Sequence, residues 1–106
     1  MNGKYILDGK IAVECHDLKA WAKWYETGNR RVADETINGM RVSTVFLSLD
    51  HSFGEGPPML FETMVFGGPL DQEQDRCATW DQAEAMHKAM VYRVKEQVTN
   101  KITGTK

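Results

Sequence analysis

Cysteine and proline are both scarce: two and three residues among 106, too few for a disulfide-stapled or a proline-rich chain. Cys15 and Cys77 form no Cys-x-x-Cys pair, which disfavours a zinc knuckle or a thioredoxin-type redox site. His16, His51 and His87 are widely spaced and form no His-x-x-x-His pattern, so no metal is called for. No apolar run approaches the roughly 18 residues of a membrane-spanning helix. The opening MNGKYILDGK is polar where a signal peptide needs an apolar stretch. A net charge of −2 lacks the basic excess of a broad nucleic-acid or membrane face. There is no Walker-type loop, no GxGxxG and no RNP aromatic pair, so no cofactor is expected. These absences point to a cytoplasmic chain that contacts neither nucleic acid nor membrane directly.

What is present is an ordinary globular composition, 42% hydrophobic and 26% charged, at the commonest domain size. One domain is expected over 1–99, followed by a flexible tail over 100–106. Asp8-Gly9 between YIL and IAV predicts a tight first hairpin. Asp17 is placed to cap a short aromatic helix carrying Leu18, Trp21 and Tyr25 on one stripe, with Gly28 as a left-handed stop. Asn38-Gly39 between RRVADETI and MRVSTVFLSL predicts a second hairpin, with Ile37 facing Met40, Thr36 facing Arg41 and Val32 facing Val45. One face then carries Val32, Val45 and Leu47; the other carries Ile37, Met40, Val42 and Phe46, with Thr44 among them. With both faces apolar at the far end, the hairpin should be covered twice, by helices and by a second subunit. MLFETMVF reads as a third strand beside it, and the polar LDQEQDRCA as an exposed connection. Thr79 and Gln82 fit a capping box that opens a long last helix through Val98, with Ala83, Met86, Met90, Val94 and Val98 on one face. The expected fold is α+β: an antiparallel sheet of about five strands in the order ββ-α-βββ-α, with the long C-terminal helix packed on it.

Candidate site residues gather around the connection Asp50-His51-Ser52-Phe53-Gly54-Glu55-Gly56-Pro57-Pro58. It exceeds the usual hairpin loop of about 2–5 residues, its glycines permit close backbone approach, and its prolines stiffen the exit. Asp50, His51 and Phe53 offer polar edges and a stacking face. Glu62, a carboxylate within LFETMVF, needs a partner if buried; Arg30, Arg31 and Arg41 are the candidates, and an Arg–Glu pair that fixes strand order is the bland explanation. Arg30 or Arg31 could hold a phosphate through bidentate contacts, and Trp24 could stack on a ring. His87, on or beside the apolar face of the last helix, reads as a hydrogen-bonded core histidine. Ser43, Ser48 and Ser52 lie in no nucleophile-elbow context, so no catalytic residue is assigned.

VSTVFLSLDHSFGEGPPMLFETMVFGG, with ATWDQAEAMHKAMV after it and WAKWYETGNRRVADETI before it, resembles small uncharacterised proteins of tailed bacteriophages and prophages. Cys77 departs from the aromatic expected there. The resemblance implies a setting, the bacterial host cytoplasm, and by analogy an accessory role in counter-defence. The expected function is non-enzymatic: a homo-oligomer that sequesters a small anionic ligand, nucleotide-derived in its most specific form, through Asp50, His51, Phe53, Glu62, Arg30, Arg31 and Trp24. The alternatives are a protein–protein inhibitor of a host defence factor, and a small phosphoester hydrolase using His51 and Glu62 as acid and base.

Overall fold

Asn38 and Gly39 both take positive φ, 49° and 81°, which the type I′ hairpin turn requires and which asparagine and glycine tolerate. That turn joins β3 (Arg31–Ile37) to β4 (Met40–Phe46) and sets Ile37 opposite Met40 and Thr36 opposite Arg41, as the sequence predicts. In the computed structural model, residues 3–52 and 54–103 are described, with side chains through residue 98. Two other strands precede this hairpin: β1 (Tyr5–Asp8) and β2 (Ile11–Glu14) form a separate two-stranded sheet, followed by α1 (Leu18–Thr27). β5 (Phe61–Phe66) and β6 (Gln74–Cys77) complete a four-stranded antiparallel sheet in the order β3-β4-β5-β6, and α2 (Trp80–Thr103) ends the chain. The fold is α+β, with the long last helix on the larger sheet. The strands number six because the polar stretch expected as a connection supplies β6. A strand flanked on one side only needs little apolar surface, so its composition hides it.

Met40, Val42 and Phe46 of β4 and Phe61 and Val65 of β5 are buried, while their alternates Arg41, Ser43, Val45, Glu62, Met64 and Phe66 are half-buried or exposed. This period of two assigns one face of the sheet to the core. α2 meets that face with Ala83, His87, Met90, Val91 and Val94, at helical spacing. Each large apolar side chain fully buried here is worth about 1.5–3 kcal/mol. The core forms two clusters: Met40, Val42, Val65, Met90, Val91 and Val94 in one; Phe46, Leu60, Phe61 and Ala83 in the other.

The β1–β2 sheet and α1 close the second cluster. Trp24 stands edge-on to Phe46 with ring centroids 5.6 Å apart, and Phe46 continues to Phe61 at 5.2 Å. The Ser48 carbonyl, just past β4, accepts hydrogen bonds from the Tyr5 amide (2.9 Å) and from Trp21 Nε1 (3.1 Å), which ties the small sheet and the helix to one point. Both helices therefore serve the same sheet face, and the second cover expected from the sequence is not supplied by either of them.

Four local expectations are corrected. A register shift between Arg31 and Ala33 pairs Arg31 with Val45, and Val32 packs with the second core cluster instead of facing Val45. The first hairpin turns at Gly9-Lys10, not Asp8-Gly9: Asp8 pairs with Ile11 and Gly9 alone takes a positive φ of 63°, as at the first central position of a type II′ turn. Gly28 is extended (φ −75°), not left-handed, and its amide returns to the Trp24 carbonyl at 2.6 Å. Glycine is required there for space, since a Cβ would come within 2.6 Å of the Trp24 ring. α2 runs through Thr103, past the expected end at Val98; residues 104–106 of the expected tail lie outside the described residues.

The N-terminal caps of both helices are as the sequence predicts. Asp17 Oδ1 accepts from the Lys19 and Ala20 amides (3.0 and 3.1 Å). At α2 the Gln82 amide donates to Thr79 Oγ1 (3.1 Å), while Gln82 Oε1 accepts from the Thr79 and Ala78 amides. Replacing Gly28 by Ala should displace Trp24 from Phe46 and lower stability by about 1–3 kcal/mol in urea denaturation, the usual cost of overpacking; Gly54→Ala, at an open position with φ +73°, should cost less.

Candidate functional site

The loop after β4 is pinned at its neck by one carboxylate. Asp50 Oδ1 accepts hydrogen bonds from the Ser52 amide (2.8 Å) and, nine residues along the chain, the Met59 amide (3.0 Å). Those bonds, led by that from Ser52, hold the Asp50 carboxyl below its usual range against the opposing effect of burial. His51 adds a backbone bond from its amide to the Met59 carbonyl (3.0 Å). Gly54 and Gly56 take φ of 73° and 125°, so both carry backbone that other residues resist. Phe53 lies outside the described residues.

The remaining predicted site residues are dispersed. Trp24 is occupied with Phe46 in the core. Arg30 lays its guanidinium over the Tyr25 ring, 4.2 Å from the centroid. Arg31 is largely exposed on the uncovered sheet face, 3.7 Å from Asp34, whose carboxylate is gripped by Arg41 at 2.7–3.2 Å. That grip, chiefly its hydrogen bond, holds Asp34 below the usual carboxylate range. Glu62 shares the uncovered face and meets none of the three arginines expected for it. Its partner is Arg76 of β6, directly opposite in register, with Nε to Oε2 at 3.0 Å. The expected partners were arginines of recognised strands; Arg76 was missed with its strand. Among the described residues no hydrogen bond or ion pair joins His51 to Glu62, and no three histidine, cysteine, aspartate or glutamate side chains converge as metal ligands.

A further polar constellation lies inside the core. Thr44 and Thr63 are register partners on β4 and β5, fully buried, with hydroxyl oxygens 2.6 Å apart. Thr44 Oγ1 is also 2.7 Å from His87 Nδ1, and His87 Nε2 is 2.9 Å from Glu35 Oε1. His87 is 3% exposed, whereas the Glu35 side chain is half exposed. A carboxylate can only accept, so Nε2 donates to Glu35. In a neutral ring Nδ1 then accepts from Thr44, and Thr44 accepts from Thr63, so every proton in the chain has an acceptor. The residue types are those of a Thr-His-Glu triad, but the order of exposure is inverted. Both hydroxyls are sealed and the carboxylate faces water, so no substrate carbonyl can reach a nucleophile.

Of the concavities among the described residues, two bear on these features. One, of about 500 Å³, lies where the loop leaves through Pro57 and Pro58; Tyr5, Lys10, Phe61 and Trp80 line it. Lys10 Nζ sits 5.8 Å from the Trp80 ring centroid, and among the described residues the buried Trp80 Nε1 has no hydrogen-bond partner. Burial, followed by the Glu14 and Asp50 carboxylates, pushes the Tyr5 hydroxyl pKa up, so Tyr5 keeps its proton here. The other, a groove of about 340 Å³, is lined by Glu35, Lys88, Val91, Tyr92 and Lys95.

No family model matches the chain, and neither a curated protein nor a solved structure matches it. Among the described residues, no helix is long and apolar enough to cross a membrane.

Lys10 and Glu35 escaped the sequence reading as site residues. Glu35 was findable only with the β3 register, which sets it beside the strand bearing Thr44. Three outcomes are expected. Thr44→Val alone should cost about 1–3 kcal/mol in chemical denaturation, because Thr63 and His87 lose their shared partner. Thr44→Val with Thr63→Val and His87→Leu should cost less than the three single changes summed. Asp34 and Asp50 both have depressed folded-state values, so their contribution is full above the reference value of 3.8 and is lost as pH falls through the folded values. Asp34→Asn with Asp50→Asn should flatten the loss of stability below that pH in acid titrations followed by circular dichroism.

Proposed function

We propose that the chain is a small-ligand binding protein of the accessory type, holding an anionic molecule with a planar or apolar body in the concavity at the exit of the 50–58 loop. One observation carries this reading: a cavity of about 500 Å³ walled by Tyr5, Phe61 and Trp80, with the Lys10 ammonium at the Trp80 face. That volume falls within the about 300–1,000 Å³ of small-molecule sites, whose walls are mostly apolar and whose few polar groups set orientation. Lys10 supplies the charge, Trp80 the stacking face, and Tyr5 a hydroxyl that remains a donor. The Asp50 bonds and Pro57-Pro58 preshape the rim, which lowers the entropy lost on binding. A sequestering role and a phage setting rest on the resemblance of residues 21–37, 42–68 and 78–91 to phage proteins. A second subunit would complete the reading by covering the sheet face that bears Glu62 and Arg31.

The test is recovery of the protein from phage-infected and uninfected bacteria, heat denaturation, and mass spectrometry of what is released. An intact anionic compound, lost from Lys10→Ala and Trp80→Ala variants that remain folded, is the expected result. Turnover of the compound replaces the reading by a hydrolase. Retention of a host protein with no small molecule released replaces it by an inhibitor.

A further inference from the structure

Glu35 is an exposed carboxylate whose position is set from behind. Its Oε1 accepts from His87 Nε2 at 2.9 Å, and His87 is itself held through Nδ1 by Thr44, which in turn meets Thr63 at 2.6 Å. Glutamate at an edge strand would ordinarily sample several rotamers; this one is anchored to a ring that is 3% exposed. Among the described residues its second oxygen has no hydrogen-bond partner, and Glu35 lines a groove of about 340 Å³ with Lys88, Val91, Tyr92 and Lys95.

The two lysines lie seven residues apart on α2, about 10 Å along its axis. Among the described residues neither has an ion-pair partner. Tyr92, between them, is 63% exposed, so a large aromatic face is presented to water in the middle of a charged groove. A simple anion would be drawn to the lysines and repelled by Glu35. A simple cation would meet the reverse. The set is satisfied only by a molecule with a hydrogen-bond donor for Glu35, an anionic group for a lysine, and a flat body for Tyr92.

We propose that Glu35, Lys88, Tyr92 and Lys95 form a second binding site, selective for planar anions that bear an amino group, with Glu35 as its specificity-determining acceptor. His87 is the positioning residue of this site, not a contact. The site is separate from the concavity at the loop exit and does not rest on its occupancy.

Adenosine 5′-monophosphate and inosine 5′-monophosphate test the proposal directly. They share the ring system and the phosphate but invert the base edge. The adenosine compound presents an exocyclic amino donor beside a bare ring nitrogen, the inosine compound an exocyclic carbonyl acceptor beside a ring N–H. A group set at the exocyclic position therefore meets a donor in one and an acceptor in the other. Titrations followed by amide NMR should place both ligands at Lys88, Tyr92 and Lys95, with the adenosine compound binding at least about fivefold more tightly, the worth of one net hydrogen bond. Lys88→Ala with Lys95→Ala should weaken both ligands alike. In Glu35→Gln the amide oxygen keeps the His87 bond and the amide nitrogen turns to the ligand, so the preference should reverse toward the inosine compound. A merely structural Glu35 would not reverse it. Equal affinity of the wild-type protein for the two ligands, absence of binding at millimolar concentration, or shifts confined to Lys10 and Trp80 would each overturn the proposal. His87→Ala, confirmed as folded by amide dispersion, should lose the discrimination while keeping the phosphate-dependent part; unchanged discrimination would show that positioning by His87 is wrong.

Discussion

A hydrogen-bond chain crosses the interior from Thr63 through Thr44 and His87 to Glu35 and divides the apolar core into its two clusters. Apolar packing alone would tolerate several placements of α2 on the sheet, because leucine-like surfaces slide at modest cost. The polar rung does not. Moving the helix by one residue would bring Met86 or Lys88 over Thr44, leaving buried hydroxyls unpaired at about 1–3 kcal/mol each. The rung thus selects one docking of α2, and that docking fixes Trp80 beside Phe61 at one end and the Lys88–Lys95 face beside β3 at the other. Both concavities inherit their geometry from it.

Polar pairs on the outer face set the order of the strands in the same way. Arg76 meets Glu62 across β5 and β6, and Arg41 meets Asp34 across β3 and β4. These pairs are partly solvated, so their net stabilisation is small, on the order of 0–1 kcal/mol each. Their effect is on register, since a one-residue slip would send both charges of a pair to opposite faces. At the sheet end Asp50 plays the corresponding part for the loop, closing nine residues with one carboxylate oxygen. Stiff rim, fixed helix and fixed strand order leave a scaffold on which side chains at two separate mouths keep their positions.

Much of this was legible in the sequence. Asn38-Gly39 dictated the central hairpin, because few other pairs accept two positive φ values in succession, and Thr79 with Gln82 marked the start of α2 to the residue. The apolar set Met40, Val42, Phe46 and the placing of His87 in the core followed from periods of 2 and 3.6. What failed did so for local reasons. The irregularity between Arg31 and Ala33 moved Val32 to the opposite face, and nothing in RRVADETI announces it. The edge strand β6 is polar because one of its sides faces water, so its residues read as a connection. With β6 unseen, Arg76 could not be matched to Glu62. The candidate site was legible only as a place: the loop exit borders a concavity, but Trp24, Arg30 and Glu62 already have partners, and Lys10, Trp80 and Glu35 come from elements whose convergence depends on long-range packing.

The direction of the internal hydrogen-bond chain is the point on which the rest turns, and nitrogen-detected NMR of the His87 imidazole reads it directly. A neutral ring protonated on Nε2, with that proton protected from exchange with water and coupled to Nδ1 as an acceptor from Thr44, is the expected result. A proton on Nδ1 in place of Nε2, or a ring proton exchanging as fast as that of an exposed histidine, would mean that Glu35 is not held from the core, and the fixed docking of α2 would lose its physical cause.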